Sequence, residues 1–228
     1  DLSVIASGPT YPDSSTFKEA IDVLIEYNLW DRVAKSIRTH LKKGEKGKIE
    51  ETPTEVEVSN FLVGNNMSAL KGATKISKQE KMNSIILTSQ NEGEARILAK
   101  PYMGIAKEIQ DTGNPINPPA AVVFGGEMTV TFDSMYSDGK GGPNREFVLA
   151  SSMEIRDRDN IFVASVDSDG IDGVDKSGAI ADCRTIEKAK LDPKKYLNEH
   201  NSQEFFDSIN DSIEFDSRTN VNDISVIL

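Results

Sequence analysis

Apolar residues recur at helical spacing near the start of the chain: Phe17, Ile21, Leu24 and Ile25, then Trp30, Val33, Ile37 and Leu41. Two helices are predicted there, from about 17 and over about 30–42, the second closing at Gly44. The residues ahead of them, "LSVIASGPT", read as a strand and a turn, and those after them, 45–55, as a polar loop. "EVSNFLVGNN" predicts a strand that stops at Gly64, followed by a helix from about 67 to 81 with Asn65 or Asn66 as its cap. The short apolar run "NSIILTS", 83–89, reads as a buried parallel strand. A long helical pattern follows, with Ala95, Leu98, Ile105, Ala106 and Ile109 on its apolar face and Pro101 expected to bend or divide it.

Beyond "PINPP" the pattern changes to a hairpin-like pair of strands, 120–124 and 127–133, the second alternating Met128, Val130 and Phe132. A helix over 144–154, a strand over 160–166 and a helix over 177–190 come next. Two short helices, about 193–199 and 202–210, precede a final strand in the last five residues. Strands alternating with helices predict an α/β sandwich with a largely parallel sheet. In such sheets ligands bind beyond the carboxyl ends of strands, and the unusual loops fall at such ends.

Composition narrows the class. The 228 residues are 37% hydrophobic and 28% charged, as in an ordinary globular protein, and suffice for one large domain or two small ones. A net charge of −11 argues against general affinity for nucleic acid or anionic membranes. The one basic cluster, "KKGEKGK" at 42–48, reads as a solvated loop. No apolar run is long enough to span a membrane, and no signal or transit peptide is visible. A lone cysteine, Cys183, cannot form an internal disulfide and suits a reducing cytoplasm. The opening at Asp1 reads like a strand already inside a domain, so a C-terminal fragment of a longer protein is expected.

Three stretches are candidates for chemistry, and three smaller loops are weaker. In "FGGEMTV" the pair Gly125–Gly126 would let a ligand approach the backbone, with Glu127 adjacent. In "GKGGPNRE" the backbone of Gly141 and Gly142 and the positive end of a helix starting near Asn144 would cradle an anion. Lys140 would reach that anion, and Arg145 would clamp it with a bidentate fork. The loop lacks both the P-loop Lys-Ser/Thr pair and a GxGxxG fingerprint, and a flexible surface turn is the alternative. "VDSDGIDGVD" gathers Asp167, Asp169, Asp172 and Asp175, hard oxygen ligands suited to Mg²⁺ with a nucleotide; it breaks the EF-hand pattern at Ile171 and Asp172. "ASGPT", "GNN" and "TNVND" are small polar loops that individually read as ordinary turns. His40 and His200 lie without a serine elbow or a metal-spaced partner and read as surface or structural residues.

Taken in order, "IASGPTYPD", "FLVGNNMSAL", "ILTSQNEGEAR", "FGGEMTVTF", "GKGGPNREFVLA", "DSDGIDGVDKSGAIAD" and "TNVNDISVIL" resemble the MOFRL-type glycerate 2-kinases through the whole chain. The resemblance implies two Rossmann-like α/β domains facing across a cleft. Residues 1–82 would be the later part of an N-terminal domain, whose earlier half contributes an active-site lysine, and 83–228 the C-terminal MOFRL-type domain. It implies transfer of the γ-phosphoryl of ATP to D-glycerate with Mg²⁺, giving 2-phosphoglycerate, in a cytoplasmic protein, and leaves a homodimer open. Under this resemblance Glu127, Asp169 and Arg145 are catalytic, and Asp169 and Asp172 hold the metal. Gly125, Gly126, Thr129, Lys140, Gly141, Gly142, Asn144, Asn220 and Asn222 bind the nucleotide, and Ser7, Gly8, Thr10 and Asn65 bind the acceptor. The chain departs from the family where "GGRNQE" becomes "GGPNRE", where the Thr of "TDGIDG" becomes Ser168, and where "GPTGTNVND" becomes "FDSRTNVND", which gains Arg218. Two other classes are carried: a non-catalytic nucleotide- or glycerate-binding remnant, and an oxidoreductase acting on hydroxypyruvate or another 2-hydroxy acid. The second lacks a dinucleotide fingerprint.

Overall fold

The computed structural model of the chain describes residues 2–3, 5–132 and 138–228. Val4 of the expected opening strand, Asp133 at the end of the expected strand 127–133 and Ser137 at the head of the glycine-rich loop lie outside the described residues. The chain divides into two compact units, Asp1–Leu62 and Val63–Leu228. No described helix is long and apolar enough to cross a membrane.

In the first unit Ile5–Ser7 forms a short 3₁₀ turn where a strand was expected. Helix α1, Phe17–Glu26, begins in a capping box: the Glu19 amide donates to Thr16 Oγ1, and the Thr16 amide donates to Glu19 Oε2. Helix α2, Lys35–Glu45, starts later than its periodicity suggested and runs through Gly44. That glycine does not close the helix. It leaves room for the Phe17 ring, with which a Cβ would collide, and Phe17 also meets His40 edge-on at 5.6 Å. Phe61, Leu62 and Val63 are exposed, and the strand expected in "EVSNFLVGNN" is absent among the described residues. An isolated apolar run gains strand geometry only from a neighbour, and no described strand pairs with this one.

In the second unit Asn65 caps helix α3, Asn66–Gln79, by accepting the Ser68 amide at 3.0 Å. Strand β1, Asn83–Glu94, runs past the expected 83–89 directly into helix α4, Ala95–Thr112. Pro101 is accommodated in one continuous helix, which closes at Gly113 with φ 77°. Strand β2, Ala120–Thr129, is unbroken, so the expected hairpin is not formed. Helix α5, Pro143–Ile155, and strand β3, Val163–Asp167, follow. The helix expected over 177–190 is instead strand β4, Gly178–Ala181, and the short helix α6, Thr185–Ala189. A Cβ at Gly178 would strike the Ser165 carbonyl, so this glycine admits the close pairing of β4 with β3. Helices α7, Pro193–Asn198, and α8, Ser202–Asp207, precede the two-residue strand β5, Ser212–Ile213, and the last strand, β6, Asp223–Ile227.

The fold is mixed α/β, with an open sheet flanked by helices in the order β1-β2-β6-β3-β4-β5. Only β1 and β2 pair in parallel; each remaining neighbour is antiparallel. At the centre of the sheet β6 returns between β2 and β3 and runs against both. Helix α3 packs on β1 and β2, so the boundary between units precedes this helix, whereas a division at 82/83 would separate it from its sheet. Helices α4 and α5 pack on each other around Phe124, Phe147 and Tyr102, whose ring stacks on Phe124 at 3.9 Å.

Gly126 lies inside β2 at φ 152°, and a Cβ there would collide with the Asn91 backbone of β1. Gly126→Ala is therefore expected to destabilise by about 3 kcal/mol, read as a lower urea midpoint. Gly104→Ala, in the interior of α4 with open space around it, should stabilise by about 0.5–1 kcal/mol in the same measurement.

Candidate functional site

Because β6 opposes both β2 and β3, strands β1, β2 and β3 run the same way. Their carboxyl ends at Glu94, Thr129 and Asp167 gather on one edge, joined there by the amino end of β6 at Asp223. The loops singled out from the second unit's sequence therefore converge, as the rule for ligand sites in such sheets requires.

The centre of this edge is closed by the protein's own charge. Asp172, 1% exposed, lies across the start of α5. Its Oδ1 accepts the Asn144 amide at 2.9 Å and Asn144 Nδ2 at 3.2 Å; its Oδ2 accepts the Arg145 amide at 2.9 Å and Arg145 Nε at 3.0 Å. Burial pushes the Asp172 carboxyl up, and the Arg145 charge and the two amides oppose that. Every partner is a donor, so the carboxylate is the form that satisfies them. Arg145, itself fully buried, also donates to the carbonyls of Asp172 and Asp175. Its Nη1 stands 3.7 Å from Asp175 Oδ1.

This arrangement corrects several sequence expectations. Arg145 points inward onto the acidic loop and does not form a phosphate clamp. Both oxygens of Asp172 are taken by protein donors, so it is not a metal ligand here. The positive end of α5, expected to hold an anion, holds Asp172. The loop glycines serve close packing within the protein: a Cβ at Gly142 would strike Asp172, and one at Gly141 would strike Ser202 Oγ. Gly125 and Gly126 are buried in β2, paired with Ile224 and Asp223 of β6, and do not form a surface cradle. Pro143 occupies the first turn of α5, where a missing N–H costs nothing.

Asn144 ties this closure to the rest of the edge. Its Nδ2 also donates to Asp223 Oδ1 at 2.5 Å, and its Oδ1 accepts from Ser165 Oγ, which lies 2.6 Å from Ser225 Oγ. Asp223 Oδ2 accepts the Met128 amide at 2.8 Å, and Asn66 Nδ2 donates to the carbonyls of Val221 and Asp223, both at 2.8 Å. Burial, with Asp167 and Asp172 nearby, pushes the Asp223 carboxyl up to about 7. Asp167, half-buried, is pushed up to about 6 by burial and by its acidic neighbours. Asp223 was given no role from sequence, and Asn66 was read only as an alternative cap of α3, a place that Asn65 takes. Each sits beside a residue that was assigned to the site, Asn222 and Asn65, and only the fold shows which neighbour turns inward.

The accessible rim is different in kind. Glu127 and Asn222 are exposed, and Asn222 Nδ2 donates to Glu127 Oε2 at 3.1 Å. Asp169 is half-buried, and Asn220 Nδ2 donates to its Oδ2 at 3.1 Å. Ser168 Oγ accepts the Val221 amide at 2.8 Å, joining the two loops. Thr129, exposed, pairs with Glu94 at the end of β2. Lys140 is exposed; its amide donates to Asn201 Oδ1 at 3.2 Å and its carbonyl accepts the Gln203 amide. Asn65 uses its Oδ1 as the cap of α3. In the first unit Ser7 and Gly8, both at positive φ, line a cavity of about 450 Å³ with Ser3, Tyr11, Pro12 and Asp13. Thr10 Oγ1 donates to Asn60 Oδ1 at 2.6 Å.

A second buried cluster, also unforeseen, lies where α4 and α5 begin. Arg96 Nε donates to Glu146 Oε1 at 2.6 Å, and His200 Nδ1 lies 3.0 Å from Glu146 Oε2 and 2.9 Å from Arg96 Nη2. His200 is thus a structural residue, as expected, with Phe132 against its ring at 4.8 Å. Among the described residues no three acidic, His or Cys side chains are arranged to hold a metal ion.

Residues 120–223 match the MOFRL family, and residues 1–42 match a family described as a domain of unknown function. Over its whole length the chain is 37% identical to a glycerate 2-kinase of Pyrococcus horikoshii, covering 52% of that protein. It is 35% identical, with the same coverage, to a protein of Agrobacterium vitis provisionally named hydroxypyruvate reductase. A crystal structure of glycerate kinase from Thermotoga maritima matches the whole chain with a TM-score of 0.82 at 31% identity, over 54% of its own chain. The chain spans about half the length of the curated relatives it matches.

Removing the charge at the centre, Asp172→Asn, leaves Arg145 buried without its counter-ion and is expected to cost about 3–5 kcal/mol by urea denaturation. Asp223 and Asp167 both hold protons more tightly folded than unfolded. The folded state therefore carries extra protons between about pH 4 and 7, and stability falls as pH rises through that window. Asp223→Asn should flatten this slope when midpoints at pH 5 and pH 8 are compared. A slope equal to the parent's would show that Asp223 does not carry it.

Proposed function

We propose that the chain forms part of an ATP-dependent glycerate 2-kinase, a reading supported by the match of residues 120–223 to the MOFRL family and by the glycerate 2-kinase relative. The reaction would move the γ-phosphoryl of ATP to the 2-hydroxyl of D-glycerate, releasing ADP and 2-phosphoglycerate. The observation that supports this reading most is the contrast along the sheet edge. Asp172 and Asp223 are buried and bonded internally, whereas Glu127 and Asp169 reach solvent and are held by neutral amides. Carboxylates at an accessible edge suit phosphoryl transfer, where the protein mainly positions groups and compensates charge.

In this reading Asp169 would hold Mg²⁺, with Glu127 orienting the acceptor hydroxyl or the metal's water shell. Hard oxygen donors fit that ion, which binds through one or two carboxylates and completes its shell with water and substrate phosphates. When bound, Mg²⁺ would neutralise phosphate charge. Lys140, exposed on the neighbouring loop, is the cation we assign to the nucleotide phosphates, with Thr129 at the strand end. Ser7, Gly8, Thr10 and Asn65 are assigned to the acceptor; the cavity beside Ser7 and Gly8 supports the first two. A cytoplasmic setting and a homodimer complete the proposal.

The purified full-length protein should form ADP only when D-glycerate and Mg²⁺ are both present. ATP binding without turnover would favour the non-catalytic reading. Oxidation of a nicotinamide cofactor with hydroxypyruvate, in place of ADP formation, would favour the oxidoreductase. Asp169→Asn should lower kcat by about 100-fold or more, consistent with loss of a charge that acts on the transferring group.

A further inference from the structure

The turn Asn220–Asn222 joins two loops that sequence places far apart. Asn220 is engaged at both ends of its amide: Oδ1 accepts the Asn222 amide at 3.0 Å, and Nδ2 donates to Asp169 Oδ2 at 3.1 Å. Asn222 takes a left-handed conformation, φ 65°, which asparagine tolerates better than most residues. Its carbonyl accepts the Ser168 amide at 3.3 Å while its side chain reaches Glu127 Oε2 at 3.1 Å. Between them, the Val221 amide is held by Ser168 Oγ and the Val221 carbonyl by Asn66 Nδ2.

We infer that Asn220 and Asn222 are positioning residues that set the Asp169 and Glu127 carboxylates relative to each other, and are not contacts to the nucleotide. Three observations carry this. Both side-chain donors already point at carboxylates from different strand ends. The turn is fixed from below by Asn66 and Ser168, so the two amides form one rigid strut. The donors are neutral, and therefore orient the carboxylates while leaving their charge for a ligand, which a lysine or arginine partner would cancel. Exposed hydrogen bonds of this kind add little to stability, because water competes for both partners. The inference rests on the proposed phosphoryl transfer for its kinetic consequence, but the contacts themselves can be tested without it.

Two measurements on the full-length protein separate these. In the ATP, Mg²⁺ and D-glycerate assay, Asn220→Ala and Asn222→Ala should each lower kcat by about 10- to 100-fold, the range for displaced catalytic groups, with KM for ATP within about twofold. A raised KM for ATP at unchanged kcat would assign the asparagines to the nucleotide and overturn the inference, as would unaltered kinetics. Independently, the side-chain carboxyl ¹³C resonances of Glu127 and Asp169 are followed. Asn222→Ala should move the Glu127 resonance and Asn220→Ala the Asp169 resonance, each sparing the resonances of Asp111 and Asp182. If neither carboxyl responds, the strut does not exist. If both respond and the parent protein shows no turnover, the strut stands and the kinase reading fails.

Discussion

The acidic loop after β3 is held by one interaction, the Asp172 carboxylate lying across the first turn of α5. A helix start offers unsatisfied N–H groups and a positive field. Here both are answered by a carboxylate from 27 residues away, which also neutralises the fully buried Arg145. That single pairing fixes where the loop 168–177 leaves β3, and so where Asp169 stands. It also explains Gly142: any side chain at that position would occupy the space Asp172 needs.

Outward from this pair the polar groups form a continuous chain. Asn144 links Asp172 to Asp223, Asp223 holds the Met128 amide beside Glu127, and Asn66 ties the β6 approach to α3. Most donors and acceptors of this buried network are paired, which favours a single arrangement, while Arg145 Nη1 and Asn66 Oδ1 have no hydrogen-bond partner. The edge is therefore rigid in its lower layer and accessible in its upper one. Positioning of exposed carboxylates by neutral amides requires such a base, since a strut on a mobile loop would orient nothing.

Much of the fold was legible, for physical reasons that also mark where reading failed. The capped, periodic helices at 17 and 66 carry local signals strong enough to stand alone, and so does the apolar run that starts β1. "GAIADCRTIEKAK" reads as a helix because alanine, glutamate and lysine favour one. Yet its first four residues are a strand, because Gly178 lets β4 approach the Ser165 carbonyl. Tertiary pairing there outweighs local propensity. The antiparallel return of β6 was invisible for a similar reason: a short, mostly apolar run does not say which way it will pair.

At the candidate site, the loops read from sequence converge, and several of their residues are engaged within the protein itself. A helix start that receives a phosphate and one that receives the protein's own carboxylate ask for the same residues: glycines for close approach, a proline in the first turn, donors just beyond it. What separates the cases is whether an acid elsewhere in the chain can reach the helix end, and that is a fact of topology. "DGIDG" contained the answer in Asp172, its fourth residue, but spacing alone made it look like a partner of Asp169. The fold divides that motif. Asp172 turns inward to hold the helix, and Asp169 stays at the rim, where a ligand could reach it.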